Sequence, residues 1–128
     1  MTAFSFNHIH LLTRDPKATA HYYNRMFGAK ILESTQSDSK PRIDLELGGV
    51  SIFILRAPPE QETPACPPGP YLGLDHFGLR VNNLDEAVAE LKAKGAEFAV
   101  EPKTIRPGVR IAYVHGPENA RIELVEHT

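Results

Sequence analysis

With 128 residues, 41% of them apolar and 23% charged, the chain has material for one folded domain or two small modules sharing a core, and too little for two independent domains. No stretch is apolar for long enough to span a bilayer, and a net charge of −2 without clustered Lys or Arg leaves no electrostatic footprint for nucleic acid or an anionic membrane. A single cysteine, Cys66, excludes an intrachain disulfide and any multi-cysteine zinc site, so the expected partner is a small molecule. The first residues lack the succession of basic, apolar and small residues that makes a secretory signal, and the expected location is cytoplasmic.

In chain order, the first patterned stretch runs from Phe6 to Thr13 and reads as a strand. Successive strand side chains point to opposite faces, so His8 and His10 share one face while Ile9 and Leu11 share the other. Asp15-Pro16 then begins a helix, because Asp accepts N–H bonds as an N-cap and proline suits the first helical position. Residues 16, 19, 20, 23 and 27 fall on one face and Gly28 follows, which predicts a helix from about 16 to 27. Lys30 to Thr35 reads as a strand and Ser37 to Lys40 as a polar turn. Ile43, Leu45 and Leu47 alternate in the next strand, Gly48-Gly49 makes a turn, and Val50 to Leu55 is a further strand.

From Ala57 to Pro70 the chain carries six prolines, too stiff and donor-poor for a helix or strand interior, and reads as a connection. The same order then begins again. A strand over 74–81 is followed by Asn83 as N-cap with Glu86 as its capping-box partner, and by an apolar stripe at Leu84, Ala87, Val88 and Leu91 that Gly95 closes. Glu97 to Val100, Val109 to Val114 and Ala120 to Glu126 supply the remaining strands, with Gly116 to Asn119 as the last turn.

The order β-α-β-β-β therefore occurs twice, and the fold class is α+β: two tandem βαβββ modules whose curved sheets surround a metal-binding cleft. The modules span about 5–56 and 73–127, with a Pro-rich connection at 57–72, all within a single domain of residues 1–128. Each module is expected to hold its first and last strands in the middle of its sheet. Alignment of the halves pairs His8 with His76, the two helices with each other, and Phe53 with Glu123.

A carboxylate on a strand between Ile122 and Leu124 is costly unless it is paired or bound to metal. Two imidazoles and one carboxylate converging on a cleft hold a divalent ion on one side and leave its other positions open, so His8, His76 and Glu123 are the expected ligands. His10 shares the His8 face; it can replace His8 as ligand or act beside it as an acid or base. Tyr113 is placed to donate a hydrogen bond to substrate, and Arg80, on the His76 face, to meet an anionic group. Against these stand blander roles: a lone strand histidine is usually a surface or satisfied core residue, a strand Tyr usually packs, and Arg80 can simply pair with a neighbouring acid. The repetition of His at the start of equivalent strands is what coincidence explains poorly.

Several motifs resemble the vicinal oxygen chelate superfamily of glyoxalase I, methylmalonyl-CoA epimerase, extradiol dioxygenases and the fosfomycin- and bleomycin-resistance proteins. They are Asn7-His8-Ile9 before Arg14-Asp15-Pro16, Tyr22-Tyr23 leading to Phe27-Gly28, Asp75-His76 before Leu84-Asp85-Glu86-Ala87, and Gly116-Pro117 leading to Ile122-Glu123-Leu124. The resemblance covers nearly the whole chain. It implies a paired βαβββ fold with a divalent metal (Fe²⁺, Mn²⁺, Zn²⁺ or Ni²⁺) ligated from the first and last strands of both modules, at positions where His8, His76 and Glu123 stand. The fourth such position is Phe53, which cannot bind a metal and offers an apolar or stacking surface to substrate instead.

Loss of that carboxylate sets the chain apart from lactoylglutathione lyase and leans the expectation towards oxygenase chemistry on a 2-His-1-Glu site. The dioxygenase signature is met only in part, by Tyr113, Pro117 and Glu123. A lyase or isomerase with His10 or another cleft residue as base, and a metal-free small-molecule-binding resistance protein, are the alternatives. Exposed strand edges and a half-open cleft make a homodimer the expected assembly.

Overall fold

A computed structural model describes residues 2–39, 41–58 and 62–128. Ten elements follow in the order β1 (His8–Thr13), α1 (Pro16–Phe27), β2 (Lys30–Thr35), β3 (Pro41–Leu47), β4 (Val50–Arg56), β5 (Phe77–Arg80), α2 (Leu84–Ala93), β6 (Phe98–Arg106), β7 (Val109–His115) and β8 (Arg121–His127), with a 3-10 turn at Pro117–Asn119 before β8. The chain divides into two compact units, residues 1–63 and 64–128, and each is one β-α-β-β-β module. Residues 59–61 of the expected connection lie outside the described residues. Its later part belongs to the second unit, where the Cys66 N–H donates to the Glu118 carbonyl at 3.1 Å.

The helices begin and end where local chemistry dictates. Asp15 has extended φ and ψ, its Oδ1 accepts from the Ala18 N–H at 3.1 Å, and Pro16 occupies the first turn. Gly28 takes the left-handed conformation at φ +73°, and its N–H returns to the Asn24 carbonyl at 2.9 Å. α1 buries Thr19, Ala20, Tyr23 and Met26; Phe27, expected on that face, is half-buried beside Tyr22 and Tyr23. In α2 the Asn83 side chain accepts from the Glu86 N–H at 3.0 Å, and Leu84, Val88 and Leu91 are buried.

The sheet orders are β1-β4-β3-β2 and β5-β8-β7-β6. This corrects one expectation: the last strand of each module is internal, but the first strand lies at an edge. β2, β3 and β4 are successive antiparallel neighbours, and the helical crossover brings β4 beside β1 in parallel, so no strand of the unit remains to cover the outer side of β1. In the second unit β5, β8, β7 and β6 repeat this arrangement. Two boundaries also shift. β5 begins only at Phe77, so His76 precedes the strand, and β6 runs on to Arg106 through an exposed edge segment that tolerates Pro102. Each core lies between one sheet face and its helix, with Tyr23 and Leu45 fully buried in the first unit and Leu84, Val114, Ile122 and Leu124 in the second.

The start of α2 is closed by charge. Glu126 is only 8% exposed, and its Oε2 accepts from the Leu84 N–H at 2.7 Å. Arg110 donates to both Asp85 oxygens, at 3.0 and 3.1 Å, and that hydrogen bonding, against some desolvation, holds the Asp85 carboxyl below its usual range. A carboxyl lowered on folding stabilises the fold above its unfolded pKa, and the contribution disappears as pH falls through the lowered value. Asp85→Asn should therefore lower the urea midpoint at about pH 7 by a small amount, as befits an exposed pair, and this difference should vanish in acid.

Candidate metal and substrate site

In the first unit the side chains of the open sheet face come from alternate positions of adjacent strands. His10 and Asp44 both lie opposite Phe53 in the ladder, so Phe53 is on the imidazole face, as the internal repeat requires. The His8 ring stacks on Phe53 with centroids 4.0 Å apart and 24° between planes, and His10 meets the same ring edge-on at 6.5 Å. The Arg42 guanidinium covers Phe53 at 4.5 Å, while its Nε donates to Asp44 Oδ2 at 2.8 Å. His8 Nδ1 lies 2.6 Å from Asn7 Oδ1. An amide oxygen only accepts, so the His8 Nδ1 carries a proton and donates it to Asn7.

The second unit has the counterpart with a different brace. His76 Nδ1 lies 2.6 Å from Asp75 Oδ2, and Arg121 Nη1 donates to both Asp75 oxygens at 2.8 and 2.7 Å. The hydrogen bond from His76, and then the Arg121 charge, outweigh desolvation and hold Asp75 below the usual carboxylate range. Asp75 is therefore ionised and accepts from Nδ1–H. On the other side of the ring, His76 Nε2 faces Glu123 Oε2 at 2.7 Å.

Glu123 is paired in register with Tyr113 on one side and with Gly78 on the other. The Tyr113 hydroxyl lies 3.5 Å from His76 Nε2, its ring is perpendicular to the imidazole, and Arg121 covers its other side at 4.7 Å. Burial, and then the Glu123 charge, push the Tyr113 pKa up, so the hydroxyl stays protonated as a donor. Arg80 is exposed on β5 and pairs in register with Val125.

The geometry brings His76, Glu123 and Tyr113 together in one unit, and His8, His10 and Phe53 together in the other. Among the described residues no group of three or more His, Cys, Asp or Glu side chains gathers as a ligand set. The donor chemistry nevertheless fits a divalent ion. With Nδ1–H committed to Asp75, a neutral imidazole would turn its Nε2 lone pair towards the Glu123 oxygen, and two acceptors at 2.7 Å require a cation, either a proton or a metal. Asn7, Asp75 and Arg121 were absent from the sequence-based set; the available signal was a polar residue immediately before each repeated histidine.

The chain is similar in sequence and in fold to known proteins. The sequence pattern of the Glyoxalase/Bleomycin resistance protein/Dioxygenase superfamily matches residues 5–124. The chain is 30% identical over 130 residues to the uncharacterized protein YwkD of Bacillus subtilis (strain 168), covering 95% of this chain and 96% of that one. A glyoxalase family protein from Enterococcus faecalis has a similar structure, with a TM-score of 0.77, 25% identity and coverage of 95% and 97% of the two chains. A variant of the fosfomycin resistance protein FosX from Listeria monocytogenes, complexed with Mn(II) and 1S,2S-dihydroxypropylphosphonic acid, shares the fold with a TM-score of 0.74 at 19% identity, over 99% and 93% of the chains.

If Asp75 fixes the His76 ring, Asp75→Ala should abolish the Nδ1-protonated signature in imidazole nitrogen NMR. Affinity for a divalent ion should fall about 10- to 100-fold. Retention of that tautomer would show that the ring is oriented by something else.

Proposed function

The chain belongs to the Glyoxalase/Bleomycin resistance protein/Dioxygenase superfamily, and on that premise we propose that it is a divalent-metal enzyme binding a small oxygenated substrate through two neighbouring oxygens. The observation that carries this reading is the Asp75-braced His76 facing Glu123 at 2.7 Å. His76 and Glu123 supply two donors; His8, whose Nδ1 is braced in the same way, is the proposed third, from the same chain or a second copy. A bound divalent ion supplies Lewis acidity to the two oxygens and, if it is iron, a place for dioxygen.

The chain's own residues set the rest. Arg121 and Asp75 hold the imidazole in one orientation, and Tyr113 offers a neutral O–H to a substrate oxygen. Phe53 stands at the position equivalent to Glu123 and gives no donor, so with three protein ligands about three octahedral positions stay open, enough for a bidentate substrate and one more ligand. That count favours oxygenase chemistry. A lyase or isomerase reading is favoured by His10, which shares the open face and makes no hydrogen bond among the described residues, leaving an imidazole available as base. FosX, named with Mn(II) and 1S,2S-dihydroxypropylphosphonic acid, supports a divalent ion and a small oxygenated ligand in either case.

Metal analysis of protein purified without chelator tests the proposal. A stoichiometric divalent ion is expected, and it should be lost in His76→Ala and Glu123→Ala chains that remain folded by circular dichroism. Wild-type protein free of metal and unable to bind it would instead support a small-molecule-binding protein. His10→Ala should keep the ion and lose turnover.

Phe53→Glu separates the two chemistries. It should add a fourth donor and raise affinity for zinc or nickel in competition with a chromogenic chelator, while suppressing any oxygen uptake. Unchanged affinity would remove Phe53 from the neighbourhood of the ion.

A further inference from the structure

A cavity of about 590 Å³ lies within the first unit, at the end of the β3–β4 ladder beside the first turn of α1. Its apolar wall includes Pro41, Ile43, Ile54 and Leu55; the cations Lys17 and Arg56 line it as well, and so does Arg42, whose guanidinium lies over Phe53. Among the described residues the only acid in the lining is Asp15, whose Oδ1 is engaged as the α1 N-cap. Arg56 is held in place by donating from Nη1 to the Arg14 carbonyl at 2.8 Å. Arg42 shares its charge with Asp44 at 2.8 Å, whereas Lys17 has no ion pair among the described residues.

The second unit shows what occupies the equivalent place when the protein fills it itself. The pairs His10–Phe53 and Gly78–Glu123 are corresponding rungs, which equates Arg56 with Glu126. The N-caps Asp15 and Asn83 equate Pro16 with Leu84 and Lys17 with Asp85, and the antiparallel ladders equate Pro41 with Arg110. In the second unit the Glu126 carboxylate sits on the Leu84 N–H, and Arg110 closes onto Asp85. In the first, both acids are replaced by cations, the N–H is removed by Pro16, and a cavity remains. Positive charge around an apolar space, with the internal carboxylates missing, calls for an anion from outside.

We propose that this cavity binds a small organic anion, a carboxylate on an aliphatic or aryl body, with Lys17 and Arg56 at its head and Ile43, Ile54 and Leu55 along its body. The volume is within the range of small-molecule sites. The site is separate from the His76–Glu123 pair and does not depend on metal.

Titration of the full-length chain with hexanoate, followed by amide NMR, tests this. Saturable shifts are expected at Lys17, Ala18, Arg56 and Ala57, weakened by salt. Lys17→Ala, an exposed change at a helix start, should weaken binding about fivefold. Arg56→Glu, which rebuilds the charge of the second unit, should abolish it, and His76→Ala should leave it unchanged. Absence of shifts, binding that persists equally in both cavity variants, or shifts confined to the His76 and Glu123 strands would overturn the proposal. Hexylammonium binding as well as hexanoate would overturn the charge assignment. Inorganic phosphate binding as tightly as hexanoate would overturn the apolar half, leaving a site for any small anion.

Discussion

The contact around which the second unit's candidate site is built is between an imidazole nitrogen and a carboxylate: the Nε2 of His76 and a Glu123 oxygen, 2.7 Å apart. Asp75 makes this contact demanding by holding a proton on the far nitrogen of the imidazole, and that hydrogen bond, then the Arg121 charge, holds the Asp75 carboxyl below its usual range. Glu123 cannot turn away freely, because β8 is internal, with β5 on one side and β7 on the other, and its neighbours Ile122 and Leu124 are locked in the core. Packing on one face of the strand thus fixes an electrostatic requirement on the other, and a cation satisfies it.

The fold was legible in the sequence wherever its causes are local. Asp15-Pro16 and Gly28, and Asn83 with Glu86, mark helix ends through backbone groups a few residues away, and the alternation in β1, β3 and β4 follows from burial on one face. The edge position of β1 and β5 was not legible, because strand order is set by pairing between distant segments, and an edge strand carries the same alternation as an internal one. The second half of β6 was missed for a related reason. Glu101 to Arg106 is largely exposed at an edge, with irregular pairing to β7, so no apolar periodicity records it.

Candidate site residues were legible in proportion to how strictly strand geometry governs them. Phe53 lies on the predicted face because a two-residue period fixes it once Ile52 and Ile54 are buried. Asn7 and Asp75 escaped that logic. Within a strand, neighbours point to opposite faces, which would place each residue away from the histidine that follows it. Asn7 precedes β1, however, and both Asp75 and His76 precede β5, so the backbone there is free to bring adjacent side chains together. Strand alternation was applied one residue too far.

The duplication also shows how one scaffold is made to do different things at equivalent points. An amide oxygen and a carboxylate both fix an imidazole tautomer, but only the carboxylate adds negative charge behind the ring and strengthens its other nitrogen as a donor. His76 is accordingly the stronger donor of the pair, and it is the one that already faces Glu123. His8 faces an aromatic ring, whose stacking orients the imidazole without competing for its lone pair.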